Sequence, residues 1–148
     1  MKKAIKLFTI GFTHKTAEAF FSTLIRAGVK RVIDIRLNNT SQLAGFAKKD
    51  DLRYFLKALG DMDYIHRPDF APTQEILDVY KKKKGDWAAY ELEFRGLLEE
   101  RKPEVHVARE LLDRGCLLCS EPTPERCHRR LVAEWLREKL GDMEICHI

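Results

Sequence analysis

The chain has 148 residues, 45% of them hydrophobic and 34% charged, with 8 Gly and 5 Pro. That is one domain's worth of chain, and the balance excludes disorder, collagen-like repeats and low-complexity scaffolds. The net charge of +4, from 27 Lys+Arg against 23 Asp+Glu, is compatible with an anionic ligand without demanding one.

Ile5–Ile10 reads as a first strand. The charged start before it soon gives way to Thr9, Gly11 and Thr13, which suits a strand entering a fold and not a signal peptide. No apolar run approaches the roughly 18 residues of a membrane span, so a cytoplasmic protein is expected, with no membrane partner. Thr16 is placed to cap a helix with an apolar stripe of Phe20, Phe21, Leu24 and Ile25, ended by Gly28. Val29–Arg36 reads as a second strand, and Leu52, Phe55, Leu56 and Leu59 mark one face of a helix ending at Gly60.

Asp63–His66 is a short third strand stopped by Pro68. Helices follow over Thr73–Lys83 and Asp86–Arg101, the second with Trp87, Tyr90, Phe94, Leu97 and Leu98 on one face. Another helix is expected from Pro103 to Arg114 with Gly115 as terminator. Cys116–Ser120 reads as a fourth strand, Pro124–Leu140 as a last helix and Met143–Ile148 as a final strand. Strands alternating with helices predict a single α/β domain over 1–148: a three-layer, doubly wound, mostly parallel sheet of about five strands with helices on both faces. In such sheets ligands bind outside the carboxyl ends of the strands. That draws attention to Gly11, Asp34 to Ser41, His66 to Asp69 and Cys119 to Arg129.

The richest segment runs from Cys116 through Cys119, Glu121 and Thr123-Pro124 to Cys127-His128-Arg129. Thr123 and Pro124 look like the start of the last helix, whose free N–H groups and positive pole make an anion site and would depress the pKa of a nearby thiol. Cys119 or Cys127 with His128 could form a nucleophile with its acid/base partner. The plainer alternative is a buried thiol and a histidine capping the core. Zinc is disfavoured by the expected geometry. Residues three apart on a strand diverge, so Cys116 and Cys119 would point apart, and Cys127 and His128 as helix neighbours would point about 100° apart. No metal and no cofactor are therefore expected. A disulfide framework among Cys116, Cys119, Cys127 and Cys146 is not expected in a reducing compartment either.

Asp34 and Arg36 share a strand face by period two, suggesting an oriented polar site with Arg36 as an anion clamp, or else a plain salt bridge. Ser41 could add a hydroxyl. Gly11 stands alone, without the spacing of a dinucleotide or phosphate-loop fingerprint. Lys81–Lys84 is a lysine run at a helix end, usually a solvated feature, although a nucleic-acid patch would look similar.

Thr9-Ile10-Gly11, Asp34-Ile35-Arg36 with Ser41, Tyr64-Ile65-His66-Arg67-Pro68, Leu117-Leu118-Cys119-Ser120-Glu121 and Cys127-His128-Arg129 follow one another in order. With these marks the chain resembles the domain of unknown function 488 family over nearly its whole length. The resemblance carries no activity with it. It implies that these strand-end positions form one site.

The reading that follows is an enzyme for a small phosphorylated or nucleotide-like substrate. Its catalytic candidates are Cys119, Cys127, His128, Glu121 and Asp34, and its ligand-binding candidates Gly11, Arg36, Ser41 and Arg129. The alternatives are a nucleic-acid-binding module and a non-catalytic domain with a structural Cys/His cluster.

Overall fold

The computed structural model describes residues 4–39, 45–82, 86–120 and 127–148. Ser41, Glu121, Thr123, Pro124 and the side chains of the lysine run lie outside these. Strands β1 (Ile5–Gly11), β2 (Arg31–Asp34), β3 (Asp63–His66), β4 (Gly115–Cys119) and β5 (Met143–His147) form one sheet in the order β3-β2-β4-β1-β5. Every neighbouring pair is parallel. Around it lie helices α1 (Ala17–Ala27), α2 (Lys49–Gly60), α3 (Gln74–Lys82), α4 (Trp87–Arg101), the single turn α5 (Arg109–Leu112) and α6 (His128–Leu140). The expected three-layer α/β fold is present. No helix among the described residues is long and apolar enough to cross a membrane.

Strand period two builds two cores from the same strands. Ile5, Leu7, Ile33, Ile35 and Leu117 meet Phe94 and Leu98 of α4 and Leu131, Val132, Trp135 and Leu136 of α6. Phe8, Ile10, Val32, Cys116 and Leu118 point the other way, onto Phe20, Phe21 and Leu24 of α1 and Leu52 and Leu56 of α2. The helix after β1 therefore covers one face and the helix after β4 the other. These two strands are neighbours, and the carboxyl ends of strands whose helices lie on opposite faces are where open α/β sheets receive ligands.

Local chemistry explains most boundaries. Thr16 caps α1 through its side chain, which accepts from the Ala19 N–H, and Gly28 closes the helix at φ 79°. The backbone N–H groups of Gly28 and Val29 bond back to Ile25 and Leu24. That capping turn takes Val29 out of the expected second strand. At the far end β2 stops at Asp34 because side chains replace a ladder partner. The Ile35 carbonyl accepts from His128 Nε2 (2.8 Å), the Arg36 N–H donates to Asp34 Oδ1 (3.1 Å), and the Arg36 carbonyl is bonded to His66 Nε2 (2.9 Å).

Other expectations need correction. The helix expected over Pro103–Arg114 is interrupted: a 3-10 turn at Pro103–His106 is followed by Val107 and Ala108 in extended conformation, and only Arg109–Leu112 is α-helical. Val107 is the reason, since an extended backbone there turns its side chain onto the α4/α6 core. Gly115 does not terminate that helix but opens β4. A Cβ on it would lie 2.9 Å from Ile33 Cδ1 and 3.1 Å from the carbonyls of Leu111 and Leu112, so close approach, not a left-handed turn, selects glycine. Ile25 and Leu59 are 47% and 55% exposed. They flank a surface groove with Phe21, Phe46 and Phe55 instead of entering the core. The last helix is His128–Leu140, with Cys127 before it extended; the start expected at Pro124 lies outside the described residues.

Candidate functional site

The residues singled out in the sequence fall into two groups at one edge of the sheet, on opposite faces of it. On the α6 side, β4 delivers Cys119, whose register partner on β1 is Gly11. Cys127 is the extended residue before α6 (φ −134°, ψ 140°), and His128 and Arg129 open the helix. His128 Nδ1 lies 3.3 Å from Cys119 Sγ while its Nε2 faces the Ile35 carbonyl. A carbonyl only accepts, so Nε2 carries a proton, and whenever the ring is neutral the Nδ1 lone pair faces the sulfur. Phe94 of α4 stands edge-on to the imidazole, ring centres 5.7 Å apart. The helices between 73 and 114 thus contribute a side wall to the site.

Cys119 Sγ and Cys127 Sγ face each other as a sulfur pair, Cα to Cα 7.3 Å. That pairing was not expected. The three residues were expected to meet at one edge, but not with donor atoms placed for a common ion. The donor atoms of Cys119, Cys127 and His128 all lie within 4.8 Å of one another, and all three residues are buried. The expected divergence of Cys127 from His128 assumed that both were helical. An extended Cys127 leaves the helix frame, and its sulfur swings back to β4. The divergence of Cys116 from Cys119 does hold: Cys116 packs in the α1/α2 core, and burial pushes its thiol pKa well up.

Arg129, 1% exposed, donates from Nε to Thr9 Oγ1 (3.2 Å) and turns Nη1 toward Cys127 Sγ (4.0 Å). Thr9 Oγ1 also bonds His147 Nδ1 at 2.6 Å, so β5 braces the same corner. Lys15, absent from the sequence reading, donates to the Gly11 carbonyl (2.7 Å). Burial first and then the Arg129 charge lower its pKa, which places two cations in each other's field. No short motif marks Lys15; its role follows from the turn after β1.

On the other side of the edge, Arg36 grips Asp34 through two parallel bonds, Nε to Oδ1 and Nη2 to Oδ2, each 2.8 Å. Tyr64 donates to Asp34 Oδ2 (2.5 Å) and accepts from Asn39 Nδ2 (3.1 Å). Burial and the bond to Asp34 raise the Tyr64 pKa. Arg36 is 3% exposed and lies against the Phe12 ring, and its Nη1 has no hydrogen-bond partner among the described residues. The two groups meet through the backbone, since Ile35, the acceptor for His128, sits between Asp34 and Arg36. Arg36 and Arg129 thus stand at the same edge of the sheet but on its opposite faces, so the residues expected to share one pocket form two groups joined through Ile35.

The fold and this edge define a parallel-sheet α/β protein with a buried Cys/His cluster beside buried guanidinium groups. Residues 16–136 match the family described as domain of unknown function DUF488, and the chain belongs to that family. No curated protein and no solved structure matches it.

Proposed function

We propose that the chain is an enzyme acting on a small phosphorylated or nucleotide-like substrate bound at the carboxyl edge of the sheet. The buried Arg36 carries this reading, since its Nη1 has no partner among the described residues. A buried donor left without an acceptor costs about 1–3 kcal/mol, and a phosphate oxygen is the acceptor a guanidinium suits best. Lys15 and Arg129 add positive charge around Gly11. Asp34, with both oxygens engaged, holds Arg36 in place. The reactive centre is the Cys119–Cys127–His128 cluster. In its reduced form Cys119 passes its proton to His128 Nδ1, leaving a thiolate, while Arg129 turns its charge toward the neighbouring Cys127 sulfur.

Calorimetry with inorganic phosphate and nucleoside monophosphates, paired with a phosphate-release assay, tests this reading. Binding is expected for the wild type and should weaken at least about tenfold in Arg36→Lys, which keeps the charge and loses the fork. Cys119→Ser is expected to bind and not turn over. Absence of binding by every phosphorylated compound at millimolar concentration would overturn the reading.

A further inference from the structure

We infer that reduced Cys119 and Cys127, together with His128, bind one thiophilic divalent cation, Zn²⁺ by chemistry; the described residues offer it three ligands, and the fourth position goes to water. The inference rests on the gathering of Cys119, Cys127 and His128 described above and not on the substrate assigned there; with the ion bound, the metal takes the place of the Cys119 proton on His128 Nδ1, and the ion rather than a free thiolate is the reactive group.

Two independent observations carry it. The first is convergence, since two sulfurs and an imidazole nitrogen from separate elements lie within 4.8 Å of one another in a buried corner. Zinc takes sulfur at ~2.3 Å and nitrogen at ~2.0–2.1 Å, so a tetrahedral angle would set such a pair about 3.5 Å apart. Cys119 Sγ and His128 Nδ1 are 3.3 Å apart, and binding needs little movement between them. The second is orientation. The bond from His128 Nε2–H to the Ile35 carbonyl fixes the tautomer with its lone pair on Nδ1, the arrangement by which a backbone carbonyl steers a metal-ligating histidine. A core histidine has no need of its second nitrogen aimed at two sulfurs.

The cysteine pair fits the same conclusion. Its Cα separation of 7.3 Å is wider than the roughly 4.4–6.8 Å usual for a direct disulfide, whereas two thiolates bridged by an ion have no such limit. Two thiolates also balance the divalent charge, and Arg129 beside Cys127 tempers the excess electron density on sulfur. On binding, each thiol releases its proton to solvent, and His128 binds neutral, so two protons leave per ion and affinity rises with pH. Three protein ligands, the number the described residues supply, with an open fourth position is the pattern of catalytic zinc, in which the ion lowers the pKa of its bound water toward about 7. A structural site would be closed by a fourth protein ligand.

The test uses the full chain, reduced and stripped with a chelator, then titrated with Co²⁺ and Zn²⁺. One ion per chain is expected by elemental analysis, with intense visible bands of tetrahedral Co²⁺ and sulfur-to-cobalt charge transfer in the near ultraviolet. Cys119→Ser and Cys127→Ser should each weaken binding by more than about 100-fold, beyond the range of an outer-shell change, while Cys116→Ser and Cys146→Ser leave it unaltered. A water ligand predicts that a small thiol shifts the Co²⁺ spectrum; no shift would overturn the open position. A folded, reduced wild type without charge-transfer bands at micromolar Co²⁺ would overturn the site whatever the variants do. Metal content is read without substrate, so failure here leaves the phosphate reading standing, and failure to bind phosphate leaves this one.

Discussion

Tyr64→Phe isolates the support beneath Arg36. The substitution keeps the ring in the α1/α2 core and deletes one oxygen. The Asp34 carboxylate then loses a donor at 2.5 Å, and Asn39 Nδ2 loses its acceptor at 3.1 Å. A hydrogen bond to a charged group contributes about 1.5–3 kcal/mol, so a loss of about 2 kcal/mol is expected at pH 7. The pH dependence has a definite sign. Burial and then the Asp34 bond raise the folded Tyr64 pKa above its ordinary 10.0. The unfolded phenol ionises near 10 while the folded one keeps its proton, so this stabilisation is complete below pH 10 and declines above it, by about 1.4 kcal/mol per unit. Tyr64→Phe has no such group, and the gap between the two proteins should narrow to about 0.6 kcal/mol at pH 11. Urea unfolding of both proteins at pH 7 and pH 11 measures it, and titrations common to both cancel. A gap below about 0.5 kcal/mol at pH 7, or one unchanged at pH 11, would refute the reasoning.

Gly115→Ala should destabilise by about 1–3 kcal/mol, because its Cβ would press on Ile33 and two carbonyls; an unchanged urea midpoint would contradict this. Native-state thiol labelling followed by mass spectrometry should find Cys116, fully buried with its thiol pKa pushed up, reacting only in denaturant, whereas half-buried Cys146 reacts without it. Phe94→Ala should cost about 3–5 kcal/mol and also free the His128 ring on its α4 side, seen as a shifted imidazole resonance.

The order of elements was legible because strands of five or so residues with apolar runs, and helices with period near 3.6, leave few alternatives. Asp63–His66 and the Asp86 start of α4 lie where the residues place them. The Asp34–Arg36 pairing also follows from period two alone. What escaped depends on contacts across the sheet. Nothing near Gly115 announces the carbonyls of Leu111 and Leu112. The approach to α6 decides more: an extended backbone at Cys127 in place of a helical one changes the whole donor geometry. Tyr64 enters through Asp34, 30 residues back, which no local pattern encodes, and Lys15, bonded locally to Gly11, gains its setting from the field of Arg129.

The strand order also has a consequence for synthesis and folding. β1 is made first among the strands, yet its two neighbours are β4 and β5, and its Thr9 bonds His147 across 138 residues. A chain emerging from the ribosome therefore carries an apolar strand with both edges unsatisfied until β4 and β5 have emerged. Loop closure over such distances must precede the contacts that reward it, so folding should be slow for the chain's size and the nascent protein prone to chaperone capture or aggregation. The Cys/His corner, built from β4, α6 and the end of β2, assembles only in that last stage. A chain that stalls short of it leaves its thiols exposed to oxidation.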